Sequence, residues 1–387
     1  MTMTPAGASV DAPAFRLGYR PALDGLRAVA VVLVMVHHTA AFLWPSLEPT
    51  FATGGFLGVD VFFVLSGFLI TVILLDPRTG LGLAAGHSAD RPGAAATARA
   101  LGGFYLRRIR RLLPALCGVL LFLGGCSLVF HSPTGADYRA TLAWVLTYTG
   151  NLGVLSTHRI APEVAHTWSL AIEGQFYVVW PIVALVALRL ARGRRSALAA
   201  VAVAGIVAVV IWRGLAWGFD HNWLAIYLRT PARADDLLVG CLAGLAVSAG
   251  WIRGVATAFW RVALVGGVVV VVVLSFTVEG STGALYEGGL TAIAVVAALM
   301  LLGALFAGPT FPATRLLASR PFTMVGRWSY SLYLWHFPLF YLLHLHQPGW
   351  NPALRTAVGW ALAFALAIAS YTFVEQPFLR GRGRPAA

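Results

Sequence analysis

Residues 23–38 read LDGLRAVAVVLVMVHH, and nothing between Arg27 and His37 is polar. A helix rises about 1.5 Å per residue, so the stretch near 28–44 approaches the length of a bilayer's hydrocarbon core. Nine more apolar stretches follow, near 56–75, 112–130, 168–190, 197–217, 236–249, 260–278, 288–307, 328–345 and 353–373, of which 236–249 is short. The fold class this implies is all-α, a polytopic integral membrane protein with about ten transmembrane helices. Composition agrees: 59% of the 387 residues are apolar or aromatic and 11% are charged, which excludes an ordinary soluble domain. Nothing outside the apolar runs is long enough for a second core. The expected layout is an N-terminal tail (1–18), one membrane domain (19–377) and a basic C-terminal tail (378–387).

The net charge of +13 would point to nucleic acid in a soluble chain. Here every basic residue is arginine, and placing both termini in the cytoplasm puts 22 of the 28 arginines on that side. Their purpose is then topology, and no nucleic-acid partner is expected. The first fifteen residues have no basic region leading into a short apolar core, so the first helix is expected to be retained. The segment 140–155 (ATLAWVLTYTGNLGVL) would invert the arginine balance as a span and is read as re-entrant or interfacial. Cys117, Cys126 and Cys241 fall in or beside apolar runs without metal-ligand spacing, so no metal is expected. No internal repeat of the transporter kind is visible.

Ionisable groups inside spans are costly, which makes them the search list for function. Arg27 and His38 are eleven residues apart, roughly three helical turns plus 20°, and so share a face, with His37 about 100° away. The rise between them is about 16 Å, which puts the guanidinium at the cytoplasmic surface and the imidazole near mid-membrane. In GGFLGVDVFFVLSGFLIT (54–71), Asp60 and Ser66 are the polar positions, and Asp60 is a candidate carboxylate partner for an imidazole, or else a helix cap. FYLRRIRRLLP (104–114) carries Arg107, Arg108, Arg110 and Arg111; guanidinium forks suit phosphate oxygens, although arginines here also serve as topology signals. HTWSLAIEGQFYVVWP (166–181) places His166 and Glu173 within about 20° of one face, with Trp168 and Ser169 adding donors. Arg233, Asp235 and Asp236 open the sixth span, His336 lies in the ninth, and Glu375 ends the tenth. Each has a structural reading as an ion pair or a loop closure.

Taken in order, these seven blocks (LDGLRAVAVVLVMVHH, GVDVFFVLSGFLIT, FYLRRIRRLLP, HTWSLAIEGQFYVVWP, RADDLLVG, SYSLYLWHFP and VEQPF) resemble the acyltransferase-3 family of membrane O-acyltransferases from about Tyr19 to Pro377. The resemblance implies transfer of an acyl group from cytoplasmic acyl-CoA to a hydroxyl of a surface polysaccharide, lipid-linked sugar, peptidoglycan or sugar-bearing antibiotic. It carries Arg27 and His38 over as the essential pair, with Arg107, Arg110, Glu173 and His336 behind them. Many family members add a C-terminal esterase-like domain, so this chain is expected to act through its membrane part or with a partner.

The expected chemistry has His38 removing the acceptor proton, helped by Asp60 or Glu173, with Arg27 and the 107–111 arginines holding CoA phosphates. Ser66, His166, Trp168 and His336 are expected to line the substrate site, and a covalent acyl group on His38 or Ser66 is a variant. No bound cofactor is expected; acyl-CoA is the co-substrate, with a sugar-bearing acceptor and membrane lipids as partners. The setting is the bacterial inner membrane. The acceptor is either a glycosylated metabolite such as a macrolide or a cell-surface glycan. A proton-coupled transporter is the competing class, since buried histidines and carboxylates also build proton relays, and an export scaffold is a third.

Overall fold

The structure, a computed structural model, describes residues 17–47, 50–76, 93–130, 138–156 and 160–379. Most of both expected tails and residues 77–92 of the expected loop 76–111 lie outside the described residues. The described residues are mostly helical: α1 Pro21–His38, α2 Gly58–Leu75, α3 Ala94–Phe130, α4 Tyr138–Leu146, α5 Gly150–Leu155, α6 Trp168–Leu190, α7 Arg195–Asp220, α8 Trp223–Tyr227, α9 Thr230–Ala249, α10 Thr257–Thr277, α11 Leu290–Phe306, α12 Pro312–Leu317, α13 Arg320–His346, α14 Pro352–Ala369 and α15 Gln376–Leu379. No strand occurs among the described residues.

Among the described residues, eight stretches, built on α1, α2, α3, α6, α7, α10, α11 and α14, are long and apolar enough to cross a membrane. The sixth and ninth expected spans are α9 and α13, of 20 and 27 residues, which are long enough but polar. α9 carries Arg233, Asp235 and Asp236, and α13 carries two arginines and three histidines. Proline in the first turn starts α1, α9, α12, α13 and α14, where its missing N–H has no helical partner to lose.

The start of α3 departs furthest from the sequence reading. α3 begins at Ala94, so Arg99 and the 107–111 arginines lie on a helix and not in a loop. At 37 residues α3 is about 55 Å long, more than a bilayer needs, and its arginine-bearing turns extend beyond the apolar part. The 140–155 segment breaks into α4 and α5 around Tyr148, whose φ of 55° is left-handed. Neither piece, of nine and six residues, is long enough to span a bilayer.

The interior is organised on α2, which is buried along most of its length, while α7, α10 and α14 turn most of theirs outward. α2 packs on α9, and α1 on α13. These contacts are backbone-close: a Cβ at Gly67 would collide with the Leu237 carbonyl, and one at Gly240 with that of Val64. Small residues at such crossings replace the hydrophobic drive that is missing between helices in lipid.

Candidate active site

α1 ends at His38 and continues as a single wide turn, Thr39–Leu43, closed by Trp44 N–H donating to the Thr39 carbonyl at 2.9 Å. The Trp360 indole N–H donates to Thr39 Oγ1 at 2.9 Å, so α14 holds this turn. Such wide turns cluster at functional positions because they re-aim a side chain within a helix. His38 Nδ1 lies 2.9 Å from His336 Nε2 on α13. The direction of that bond can be deduced. His336 Nδ1 lies 2.8 Å from the Leu332 carbonyl, which only accepts, so His336 donates there and its Nε2 keeps the lone pair. His38 Nδ1 must then carry the hydrogen shared with His336, which leaves the His38 Nε2 lone pair facing outward from the relay. His336 is fully buried, whereas His38 is half-buried.

His166, also buried, stacks on Phe337 with ring centroids 4.7 Å apart and sits 5.9 Å from the His336 ring. Phe337 meets His38 edge-on at 4.8 Å. The three imidazoles thus form one cluster, which the sequence placed on three separate spans. His37 turns away, with Nδ1 2.9 Å from the Ala52 carbonyl. Trp168 packs edge-on against Tyr227 and Phe63, away from the histidines.

Next to this cluster is a cavity enclosing about 730 Å³, counting its open mouth, and lined by Arg27, Ser66, Arg108, Arg111, Glu173 and Tyr177 among others. Arg27 Nε donates to Ser329 Oγ at 3.2 Å. Glu173 accepts from the hydroxyls of Ser66 and Tyr177. Tyr333 joins the two regions: it lines the cavity, its hydroxyl lies 2.7 Å from Ser169 Oγ, and it donates to the His166 carbonyl at 2.9 Å. Among the described residues none of the three cavity arginines is in an ion pair. Three guanidiniums face one carboxylate across open space, a lining suited to a polyanion.

Of the four arginines at 107–111, Arg108 and Arg111 line this cavity, while Arg107 and Arg110 are exposed on the other side of α3. Residues 108 and 111 are three apart and share a face, but so do 107 and 110, and only the packing of α3 selects between them.

The two carboxylates expected to assist His38 are both used elsewhere. Glu173 belongs to the cavity with Ser66 and Tyr177. Asp60 pairs at 2.9 Å with Arg233, whose same nitrogen lies 2.8 Å from Asp236. Arg213 pairs with Asp235 at 2.9 Å, and the Thr291 hydroxyl also donates to Asp235. All five charged groups are completely buried, and Tyr227 lies under Arg233 with its ring centre 4.5 Å away. A charge buried this deeply is tolerated only when paired. Asp60 is therefore one arm of an ion cluster that ties α2, α7 and α9 together with Thr291 of α11. Glu375 is likewise held by a hydroxyl, that of Ser331.

Tyr177, Tyr333 and Arg213 were not singled out from the sequence. Two signals were present: Tyr177 is one turn after Glu173, and Arg213 is an arginine inside an apolar run. Among the described residues no group of His, Cys, Asp and Glu could hold a metal ion.

A family model described as an acyltransferase domain matches residues 20–373. The peptidoglycan O-acetyltransferase OatA of Listeria monocytogenes is 30% identical over 378 residues, covering 93% of this chain and 56% of its own length. The putative peptidoglycan O-acetyltransferase YrhL of Bacillus subtilis is 30% identical, with 93% and 55% covered. A putative O-acetyltransferase of Staphylococcus aureus is 27% identical, with 94% and 58% covered. The chain spans little more than half the length of these relatives. No solved structure matches it. With ten long helices among the described residues, the Arg27–His38 helix and a match that runs nearly end to end, the chain belongs to the acyltransferase-3 family.

Proposed function

We propose that the chain is a membrane O-acyltransferase that moves an acyl group from the thioester of acyl-CoA to a sugar hydroxyl. The observation that carries this reading is the His38–His336–Leu332 relay, which fixes the tautomer of His38 and leaves Nε2 as a proton acceptor. A positioned imidazole of this kind is a general base for an alcohol.

In the step we propose, His38 Nε2 takes the proton of the acceptor hydroxyl as its oxygen attacks the thioester carbonyl. The new O–C bond forms, the C–S bond breaks, and the proton passes from the imidazolium to the departing thiolate. The products are a sugar ester and free CoA thiol. His336 positions His38 throughout. Arg27, Arg108 and Arg111 hold the CoA phosphates, since guanidiniums bind such oxygens in pairs.

The arginine distribution supports cytoplasmic termini and entry of the donor from that side, in a bacterial inner membrane. The relatives' names favour a peptidoglycan-type glycan as acceptor; a glycosylated metabolite such as a macrolide presents the same hydroxyl chemistry, and the mass of the acylated product distinguishes them. The test uses purified protein in liposomes with acetyl-CoA and a muropeptide acceptor. Release of CoA thiol that requires acceptor and stops in His38→Ala supports the reading. Accumulation of acceptor in the vesicles with no thioester consumed overturns it in favour of a transporter.

A further inference from the structure

The step described above gives the acceptor proton a base and the phosphates their arginines, but it leaves the thioester carbonyl oxygen without a donor. That oxygen turns negative as the acceptor adds, and hydrogen bonds aimed at it are a large part of any acyl transfer. Such a donor must lie between Arg27, on the phosphate side, and His38, where the hydroxyl attacks. α13 lines that path. Ser329, Tyr333 and Phe337 follow one another in steps of four residues along one of its faces, about 6 Å apart. The first accepts from Arg27 Nε at 3.2 Å, and the last meets the His38 ring edge-on at 4.8 Å. Tyr333 is the step between them.

Tyr333 is buried, yet it lines the cavity together with Ser169, and its ring is 5.7 Å from that of His336. Its hydroxyl lies 2.7 Å from Ser169 Oγ and 2.9 Å from the His166 carbonyl, and Ser169 Oγ is itself 3.4 Å from that carbonyl. Two hydroxyls thus share one acceptor. When Tyr333 turns its hydrogen away, Ser169 can take over the carbonyl, so the swing orphans no buried group. The neighbouring His166 ring, 3% exposed and 5.4 Å from that of Tyr333, makes no hydrogen bond of good geometry through either nitrogen among the described residues. A junction with polar capacity left over expects an occupant.

We propose that the Tyr333 hydroxyl is the hydrogen-bond donor to the thioester carbonyl oxygen, and so a catalytic residue of this site, with Ser169 positioning it. This rests on the acyl-transfer reading above. As the acceptor oxygen bonds to the carbonyl carbon, the C=O π pair moves onto the carbonyl oxygen, and Tyr333 donates to that oxygen without giving up its proton. The pair returns as the C–S bond breaks, and the departing thiolate takes the proton that His38 carried.

The experiment measures thiol release by the full chain in liposomes, with acetyl-CoA and a muropeptide acceptor, for the parent, for Tyr333→Phe and for a protein carrying 3-fluorotyrosine at position 333. CoA affinity and melting temperature are read on the same samples. Tyr333→Phe keeps the ring and should lower kcat by about 10²–10³, with the donor KM, the CoA affinity and the melting temperature little changed. The 3-fluorotyrosine protein, whose hydroxyl is a stronger donor on a ring of nearly the same shape, should keep kcat at or above that of the parent. A Tyr333→Phe enzyme within about threefold of the parent in kcat overturns the proposal. A fall in kcat that comes with weakened CoA binding or a lower melting temperature also overturns it, since the hydroxyl then holds the fold, as does a 3-fluorotyrosine enzyme as slow as Tyr333→Phe. If the parent itself releases no thiol, the acyl-transfer reading falls first and this proposal with it, a result distinct from the others.

Discussion

Two sets of buried charges share α2, and they differ in what they face. At its start, Asp60 meets Arg233 at 2.9 Å, within a cluster of three carboxylates and two guanidiniums that are all fully buried. Further along, Ser66 borders a cavity in which Arg27, Arg108 and Arg111 meet space, one carboxylate and hydroxyls. Charges that satisfy one another hold helices in register, whereas charges arranged around a hollow await a partner from outside. The first set is costly to break; the second is costly to keep unless something binds.

The contrast is broken most readily at Arg233. Arg233→Leu leaves Asp60 and Asp236 without a cation in the interior, and about 3–5 kcal/mol of stability should go with it. Thermal unfolding of the purified protein reads this directly. Arg108→Leu removes a guanidinium with no carboxylate partner and should unfold within a few degrees of the parent, having lost a cation–π contact of about 1 kcal/mol. If the two variants melt alike, the distinction between the clusters is wrong.

The relay comes next. His336→Ala removes the acceptor of the His38 Nδ1–H and frees the ring to turn, so the rate of thiol release should fall about a hundredfold with the KM for the donor unmoved. A rate within twofold of the parent would mean that His38 needs no such support. The smallest effect lies at the edge of the ion cluster. Thr291→Val removes one hydroxyl from Asp235 and leaves the Arg213 pair, a loss of about 1–1.5 kcal/mol on the same melting curve. An unchanged curve would show that the arginine alone suffices.

The spans were legible because hydrocarbon thickness sets a length that apolar runs display directly, as in 56–75 and 260–278. α9 and α13 were legible too, although their polar content brings them below what length and apolarity alone would admit. The start of α3 was not, since its first turns (AAATARALGG) are small residues interrupted by Thr97 and Arg99, without the unbroken apolar run that marks a span. Helical phase put Arg27 and His38 on one face, but it cannot say which neighbour that face meets. Hence Asp60 was offered to an imidazole when its cation, Arg233, lies 173 positions away on α9. The choice of Arg108 and Arg111 over Arg107 and Arg110 was hidden for the same reason: both pairs keep helical spacing, and only the rotation of α3 against α6 decides. His336 was singled out from its place in a span, but its bond to His38 is a tertiary fact.

The most direct test of the two-zone site is a steady-state comparison of His38→Ala and Arg108→Leu with one thioester donor and one acceptor. His38→Ala should lower kcat by about 10²–10⁴ while the donor KM stays put if, as proposed, it is the base that takes the acceptor proton. Arg108→Leu should raise the donor KM by about tenfold or more with kcat largely retained if, as proposed, its contact is to the donor's phosphates. A His38→Ala enzyme that keeps its kcat would contradict the assignment of the base and, with it, the reading of the relay.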